Sequence, residues 1–110
     1  MVVPLKENAA FRRLYYKGKS AGNRYLVIYC ARNRLEVTRV GLTVSTKLGH
    51  AVVRNRVRRR LREIVRHNAY CLPSGYDIVV VARTAAVEAE FAALEKSFRL
   101  LAGRLGLSAL

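Results

Sequence analysis

Seven arginines fall in one short stretch, Arg54, Arg56, Arg58, Arg59, Arg60, Arg62 and Arg66, with Glu63 as the one acid among them. A guanidinium presents a planar fork that pairs bidentately with phosphate and stacks on bases, which an ammonium does not. The chemistry offered is therefore polyanion binding. A second set is aromatic. Phe11 and Tyr15 stand four apart, and Tyr25, Val27 and Tyr29 alternate. Rings beside cations suit single-stranded nucleic acid, where each stacked base contributes about 1–3 kcal/mol without sequence readout. Pattern alone leaves a second reading open. Phe11 and Tyr15 can equally pack into a core, unless Ala10 and Leu14 form the inward face.

Hydrolytic chemistry has no comparable residues. The acids are Glu7, Glu36, Glu63, Asp77, Glu88, Glu90 and Glu95. No two are placed to converge on a divalent ion, as a metal-dependent nuclease requires. His50 and His67 lie near opposite ends of one expected helix, and no phosphate-binding loop, dinucleotide fingerprint or nucleophile elbow occurs. Cys30 and Cys71 stand apart, without a CxxC or Cys/His cluster, and read as small apolar residues of a reducing compartment. The sequence predicts no catalytic residue and no metal ligand of its own.

Composition agrees with binding. The 110 residues carry 21 Lys and Arg against 7 Asp and Glu, a formal net charge of +14. Such a surface concentrates polyanions and speeds their capture. About half of the residues are apolar, too many for a disordered basic tail. The length suits one domain over residues 1–110. No stretch approaches the roughly 20 apolar residues that cross a bilayer, and residues 1–6 are too short for a signal peptide. A cytoplasmic location is expected, with no membrane and no obligate protein partner.

Several elements must hold these residues in place. Asn8 is placed to cap a helix over residues 9–16, and Gly18 to stop it. Residues 17–23 read as a loop. Residues 24–30 read as a strand, with Leu26, Ile28 and Cys30 on the core face and Tyr25, Val27 and Tyr29 on the other. Residues 36–45 alternate as a half-buried strand, Val40, Leu42 and Val44 opposite Arg39, Gly41 and Thr43. That strand is expected to pair with its predecessor and to break near Arg39.

A helix over residues 51–68 buries the stripe Val53, Val57, Leu61 and Ile64. At about 100° per residue, Arg54, Arg58 and Arg62 border that stripe on one side and Arg56 and Arg60 on the other. Asn55, Arg59 and Arg66 point outward. Like charges at i,i+4 repel, so the helix is electrostatically incomplete without a polyanion. After a turn at Pro73, Ser74 and Gly75, residues 76–82 form an apolar central strand. A last helix over residues 86–103 buries Phe91, Leu94, Phe98 and Leu101. The order predicts an α+β domain, its helices on one side of a mixed sheet and the other face partly open.

The ordered set Arg39-Val40-Gly41, Val44-Ser45-Thr46-Lys47-Leu48-Gly49 and Ala51-Val52-Val53-Arg54-Asn55-Arg56-Val57-Arg58-Arg59-Arg60-Leu61-Arg62 resembles the bacterial ribonuclease P protein subunit family. Residues 8–18 and 23–29 are similar to that family's opening helix and first strand, so the likeness covers nearly the whole chain. The resemblance implies a helix, three strands, a helix, a strand and a helix, with a left-handed βαβ crossover at the arginine helix, in a ribosomal-protein-like RNA-binding fold. It implies the protein subunit of a ribonucleoprotein whose catalytic RNA, with Mg2+ in the RNA active site, removes the 5′ leader from precursor tRNA. The partners implied are that ribonuclease P RNA and precursor tRNA.

By position, Arg54, Asn55 and Arg56 match the family's Arg-Asn-Arg motif near the catalytic RNA core. Arg58, Arg59 and Arg62 match the basic residues that follow, with Arg60 among them, and Lys47 matches a lysine of the preceding loop. Phe11, Tyr15 and Tyr29 match the aromatics of the leader-binding cleft, and Val27 shares the face of Tyr29. Thr46 stands where the family often has a second lysine, and Tyr15 where phenylalanine is common. A non-catalytic RNA-binding module, such as a ribosomal protein, is the alternative reading.

Overall fold

Apolar patterning resolves into five strands and three helices in the computed structural model, which describes residues 2–107. Met1 and residues 108–110, which the single-domain expectation included, lie outside the described residues. The chain runs β1 (Val2–Pro4), α1 (Asn8–Lys17), β2 (Lys19–Gly22), β3 (Leu26–Arg32), β4 (Thr38–Thr43), α2 (Ala51–Asn68), β5 (Tyr76–Ala82) and α3 (Phe91–Arg104). Short 3-10 turns at Thr46–Leu48, Ala69–Cys71 and Thr84–Ala86 flank α2 and precede α3.

The sheet order is β1-β4-β5-β3-β2. β5 is central because its run Ile78, Val79, Val80, Val81 is apolar towards both faces, as a strand covered on both sides must be. It pairs parallel with β4 and antiparallel with β3. β1 adds to β4 in parallel, and β2 adds to β3 antiparallel. Ile78, Val80 and Ala82 join Leu26, Ile28, Cys30 and Val40 in the main core, under Val57, Leu61 and Ile64 of α2 and Leu94, Phe98 and Leu101 of α3. Val79 points the other way, into a smaller core with Leu5, Ala10 and Leu14 beneath α1. Burying each large aliphatic side chain contributes about 1.5–3 kcal/mol.

Several expectations need correction. The helices lie on both faces of the sheet, α1 opposite α2 and α3, rather than on one. Residues 17–23 are not all loop: Lys19–Gly22 form edge strand β2. The opening residues also form a strand, β1. β4 does not pair with β3, because β5 lies between them, and it runs unbroken through Arg39. Glu7 rather than Asn8 occupies the N-cap of α1. The last helix starts at Phe91, after the Thr84–Ala86 turn, and Phe91 is half-buried. Tyr25 precedes β3 and packs against the main core, not on the face of Val27 and Tyr29. Cys30 and Cys71 are buried and unbridged, and burial pushes the Cys30 thiol up against the lowering charge of Lys19.

Asp77, the second residue of β5, faces the α1 side and is buried. Arg39, its partner across the β4–β5 ladder, donates from Nε and Nη2 to the two carboxylate oxygens at 2.8 and 2.7 Å. Asn33 Nδ2 donates to the same carboxylate at 2.9 Å, and Arg39 Nη1 reaches Glu7 at 3.1 Å. Burial alone raises the Asp77 carboxyl. The hydrogen bonds from Arg39 and Asn33 and the charges of Arg39 and Arg13 outweigh it, and hold the group below its ordinary range. The folded carboxyl therefore titrates below its unfolded value of about 3.9. Its contribution is complete above that value and is lost as pH falls through the lower folded one. Asp77→Asn should cost on the order of 3 kcal/mol at pH 7, by stranding a half-buried guanidinium. It should also flatten the acid limb of stability against pH. Urea denaturation across that range checks both; a variant as stable as the wild type at pH 7 would deny the pair its role.

Candidate nucleic-acid interface

α2 begins where Gly49 turns the chain at φ 136°, a backbone angle L side chains rarely adopt, and where an added Cβ would press on Val53 at 3.3 Å. Its bounds coincide with the expected residues 51–68. Val57, Leu61 and Ile64 are buried, and Val53 is half-buried near the helix start. With that stripe fixed to the sheet, the arginines are distributed around the remaining surface.

Their partners decide what they can bind. Arg66 pairs with Glu63, which also meets His67 at 3.0 Å. Among the described residues, the other six arginines of α2 have no acid partner. Arg54 Nε donates to the Gly49 carbonyl at 3.2 Å, Arg58 Nη1 to Asn55 Oδ1 at 3.1 Å, and Arg60 Nη1 to the Ala89 carbonyl at 2.9 Å. Those acceptors orient the guanidinium groups without neutralising them. Arg60 is thereby partly committed to the α3 side of the protein. Asn55, Arg56, Arg59 and Arg62 are exposed. Lys47 is exposed on the turn before α2, its backbone N–H donating to Ser45 Oγ at 3.3 Å. The acids elsewhere do not reach this surface: Glu7 and Asp77 hold Arg39, and Glu95 meets His67 and Arg99. Lys47, Arg54, Asn55, Arg56, Arg58, Arg59, Arg60 and Arg62 thus sit on or beside one helix.

The aromatic set gathers on the opposite face of the sheet. Ala10 and Leu14 form the buried face of α1, so the aromatics are left at its flank. Phe11 is half-buried, and Tyr15 is 41% exposed. The Tyr15 and Tyr29 rings meet edge to face at 5.1 Å and 80°, and Phe11 and Tyr15 stand 6.5 Å apart. The Tyr15 hydroxyl hydrogen-bonds Thr43 Oγ1 at 2.6 Å. Strand register supplies the floor. Tyr29, Val79 and Gly41 form one row across the sheet, and Val27, Val81 and Thr43 the next. The structure therefore gathers Phe11, Tyr15 and Tyr29 on one face of the sheet beside α1, with Val27 in the next row of the same face. Sequence reasoning missed Gly41, Thr43 and Val81. The alternation of β4 had put Gly41 and Thr43 on one face, but finding their neighbours required the β4–β5 pairing.

The family model for Ribonuclease P matches residues 3–106. The chain is similar to the ribonuclease P protein component of Clostridioides difficile strain 630, 44% identical over 105 residues that cover 94% of this chain and 92% of the relative. A relative from Clostridium acetobutylicum is 42% identical over 105 residues, covering 94% of this chain and 88% of its own length. Among solved structures, the RNase P protein of Staphylococcus aureus superposes with a TM-score of 0.87 at 33% identity, covering 96% of each chain. That of Thermotoga maritima superposes with a TM-score of 0.80 at 32% identity, covering 89% of this chain and 94% of its own.

Gly41 is the point on which the cleft's shape rests. A Cβ there would stand 2.4 Å from Phe11 Cζ and 2.8 Å from Cε1, with the Leu5 carbonyl at 3.2 Å behind it. Gly41→Ala should displace the Phe11 ring and cost about 1–3 kcal/mol. Phe11→Leu in the same chain should recover most of the loss. Thermal melting of the single and double variants decides it; a Gly41→Ala protein that melts like the wild type would mean the ring yields freely.

Proposed function

We propose, from the premise that this chain belongs to the ribonuclease P protein family, that it binds the catalytic RNA through α2 and holds the single-stranded 5′ leader of precursor tRNA in the aromatic cleft. It is the protein component of a ribonucleoprotein endonuclease, and leader removal is carried out by the RNA. The observation that carries this reading is the pairing of two unlike surfaces on one sheet. One is a helix with six guanidinium groups that no acid of the described residues neutralises. The other is a cleft of rings with partly open faces.

Each surface has a physical role. Guanidinium groups replace condensed cations along a phosphate backbone, and this release drives binding. A cationic helix laid against structured RNA also lowers the Mg2+ needed to screen phosphate repulsion. Rings in the cleft stack on unpaired bases with little regard for sequence. Mature tRNA has no leader to offer, so the cleft favours precursor over product. The Mg2+ of the reaction belongs to the RNA in this reading. Four of the protein's own acids, Glu7, Asp77, Glu63 and Glu95, are engaged by arginine or histidine partners.

Reconstitution tests the whole proposal. Added to a bacterial ribonuclease P RNA, the protein should lower the Mg2+ concentration required to cleave precursor tRNA. Tyr29→Ala should weaken holoenzyme binding of precursor tRNA by roughly tenfold and leave mature tRNA binding unchanged. No effect of the wild-type protein on leader removal would favour a ribosomal-type RNA-binding module. Equal losses with both tRNAs would reassign Tyr29 to packing. Separately, Arg59→Ala should reduce the slope of log affinity against log salt for that RNA by about one, with the melting temperature unchanged. An unaltered slope would remove Arg59 from the interface.

A further inference from the structure

β1 pairs with β4 only from Thr38 to Val40, and a last backbone bond joins Leu5 N–H to the Val40 carbonyl at 2.9 Å. β4 continues past it to Thr43. A groove of about 470 Å3 opens where β1 stops short, between this sheet edge and α2. Val2, Leu42, Val65 and Ala69 contribute its apolar wall, and Arg58 and Arg62 stand on its rim. The volume falls in the range of roughly 300–1,000 Å3 typical of small-molecule sites. Arg62 has no side-chain partner among the described residues, and Arg58 gives one N–H to Asn55. Arg66, also at the rim, is held by Glu63.

We propose that this groove takes one unstacked nucleobase of the partner RNA, its flanking phosphates held by Arg58 and Arg62. The chemistry matches part by part. A base has an apolar face for Val2, Leu42 and Val65, and it brings phosphates on either side for the guanidinium forks. The charge complementarity is with a polyanion: the rim is cationic on a chain of net charge +14. An apolar peptide would leave the rim arginines unanswered. The inference rests on the RNA-binding reading above and adds to it a recognised base at the sheet edge, in a groove that shares Gly41 with the leader cleft but takes its cations from α2.

The test fills the groove from opposite walls with Val2→Trp and, independently, Ala69→Leu, and binds each protein to a bacterial ribonuclease P RNA at several salt concentrations. Thermal melting identifies which variants are folded, and one folded variant suffices. Either should bind the RNA roughly tenfold more weakly than wild type with an unchanged salt slope, because phosphate contacts persist while a base is excluded. Chemical probing should show at least one RNA base protected by the wild-type protein and reactive in the variant complex. Folded variants with wild-type affinity and the same protected bases overturn the groove, and a peptide occupant would give that result. Failure of the wild-type protein to bind the RNA would overturn the parent reading as well.

Discussion

Guanidinium groups four residues apart repel one another, and α2 carries four such pairs: Arg54 with Arg58, Arg58 with Arg62, Arg62 with Arg66, and Arg56 with Arg60. Each pair costs about 0.2–0.5 kcal/mol, roughly 1–2 kcal/mol in all. Against this stands the burial of Val57, Leu61 and Ile64 on the sheet, at about 1.5–3 kcal/mol per side chain. Burial wins by a wide margin, and it wins only in the folded protein. Detached from the sheet, the same sequence keeps the repulsion and loses the compensation. The hydrophobic seam between α2 and the sheet is thus what allows the protein to display unneutralised charge.

Arg39 shows the contrary arrangement. It stands on β4 facing α1, with Asp77 and Glu7 gathered around it. A half-buried guanidinium over a sheet needs an acid; an exposed one on α2 does not. The acids that form ion pairs stand around half-buried Arg39, as Asp77 and Glu7, or along the α2–α3 seam, as Glu63 and Glu95, while Glu36, Glu88 and Glu90 are exposed and belong to other segments than α2. β4 joins the two regimes. Its Arg39, Gly41 and Thr43 face α1, while Val40 belongs to the core under α2. A six-residue strand therefore fixes the cleft relative to the arginine helix.

Much of this was legible in the sequence where local pattern and burial coincide. The stripe through Val57, Leu61 and Ile64 defined α2, and the apolar run of residues 76–82 defined β5. What failed was non-local. Lys19–Gly22 has one half-buried residue, Ala21, and no alternation to mark it as a strand; it is β only because β3 offers an edge. β1 is three residues long and owes its existence to a partner more than thirty residues away. The pairing of β4 with β5 inverts the hairpin that nearest-neighbour order suggests. An unbroken apolar run such as Ile78–Val79–Val80–Val81 requires cover on both faces, and it pointed to α1 lying opposite α2 and α3.

The same two-sided sheet explains why the candidate residues were found before their arrangement was. Arginine surplus and aromatic spacing identify side chains, but only register gathers Tyr29 with Gly41 and Thr43 with Val81. Register also supplies rigidity. Tyr15 is fastened at its hydroxyl to Thr43 and at its ring edge to Tyr29, so its conformation is set before any ligand arrives. A ring already held in place gives up little rotamer freedom on stacking, and more of the stacking energy remains as affinity. The α2 arginines other than Arg66 are arranged differently, each with at most a neutral acceptor to orient it. Fixed rings fit an unpaired strand that must be held in one place. Orientable cations fit an irregular phosphate surface, whose contacts they adjust to meet.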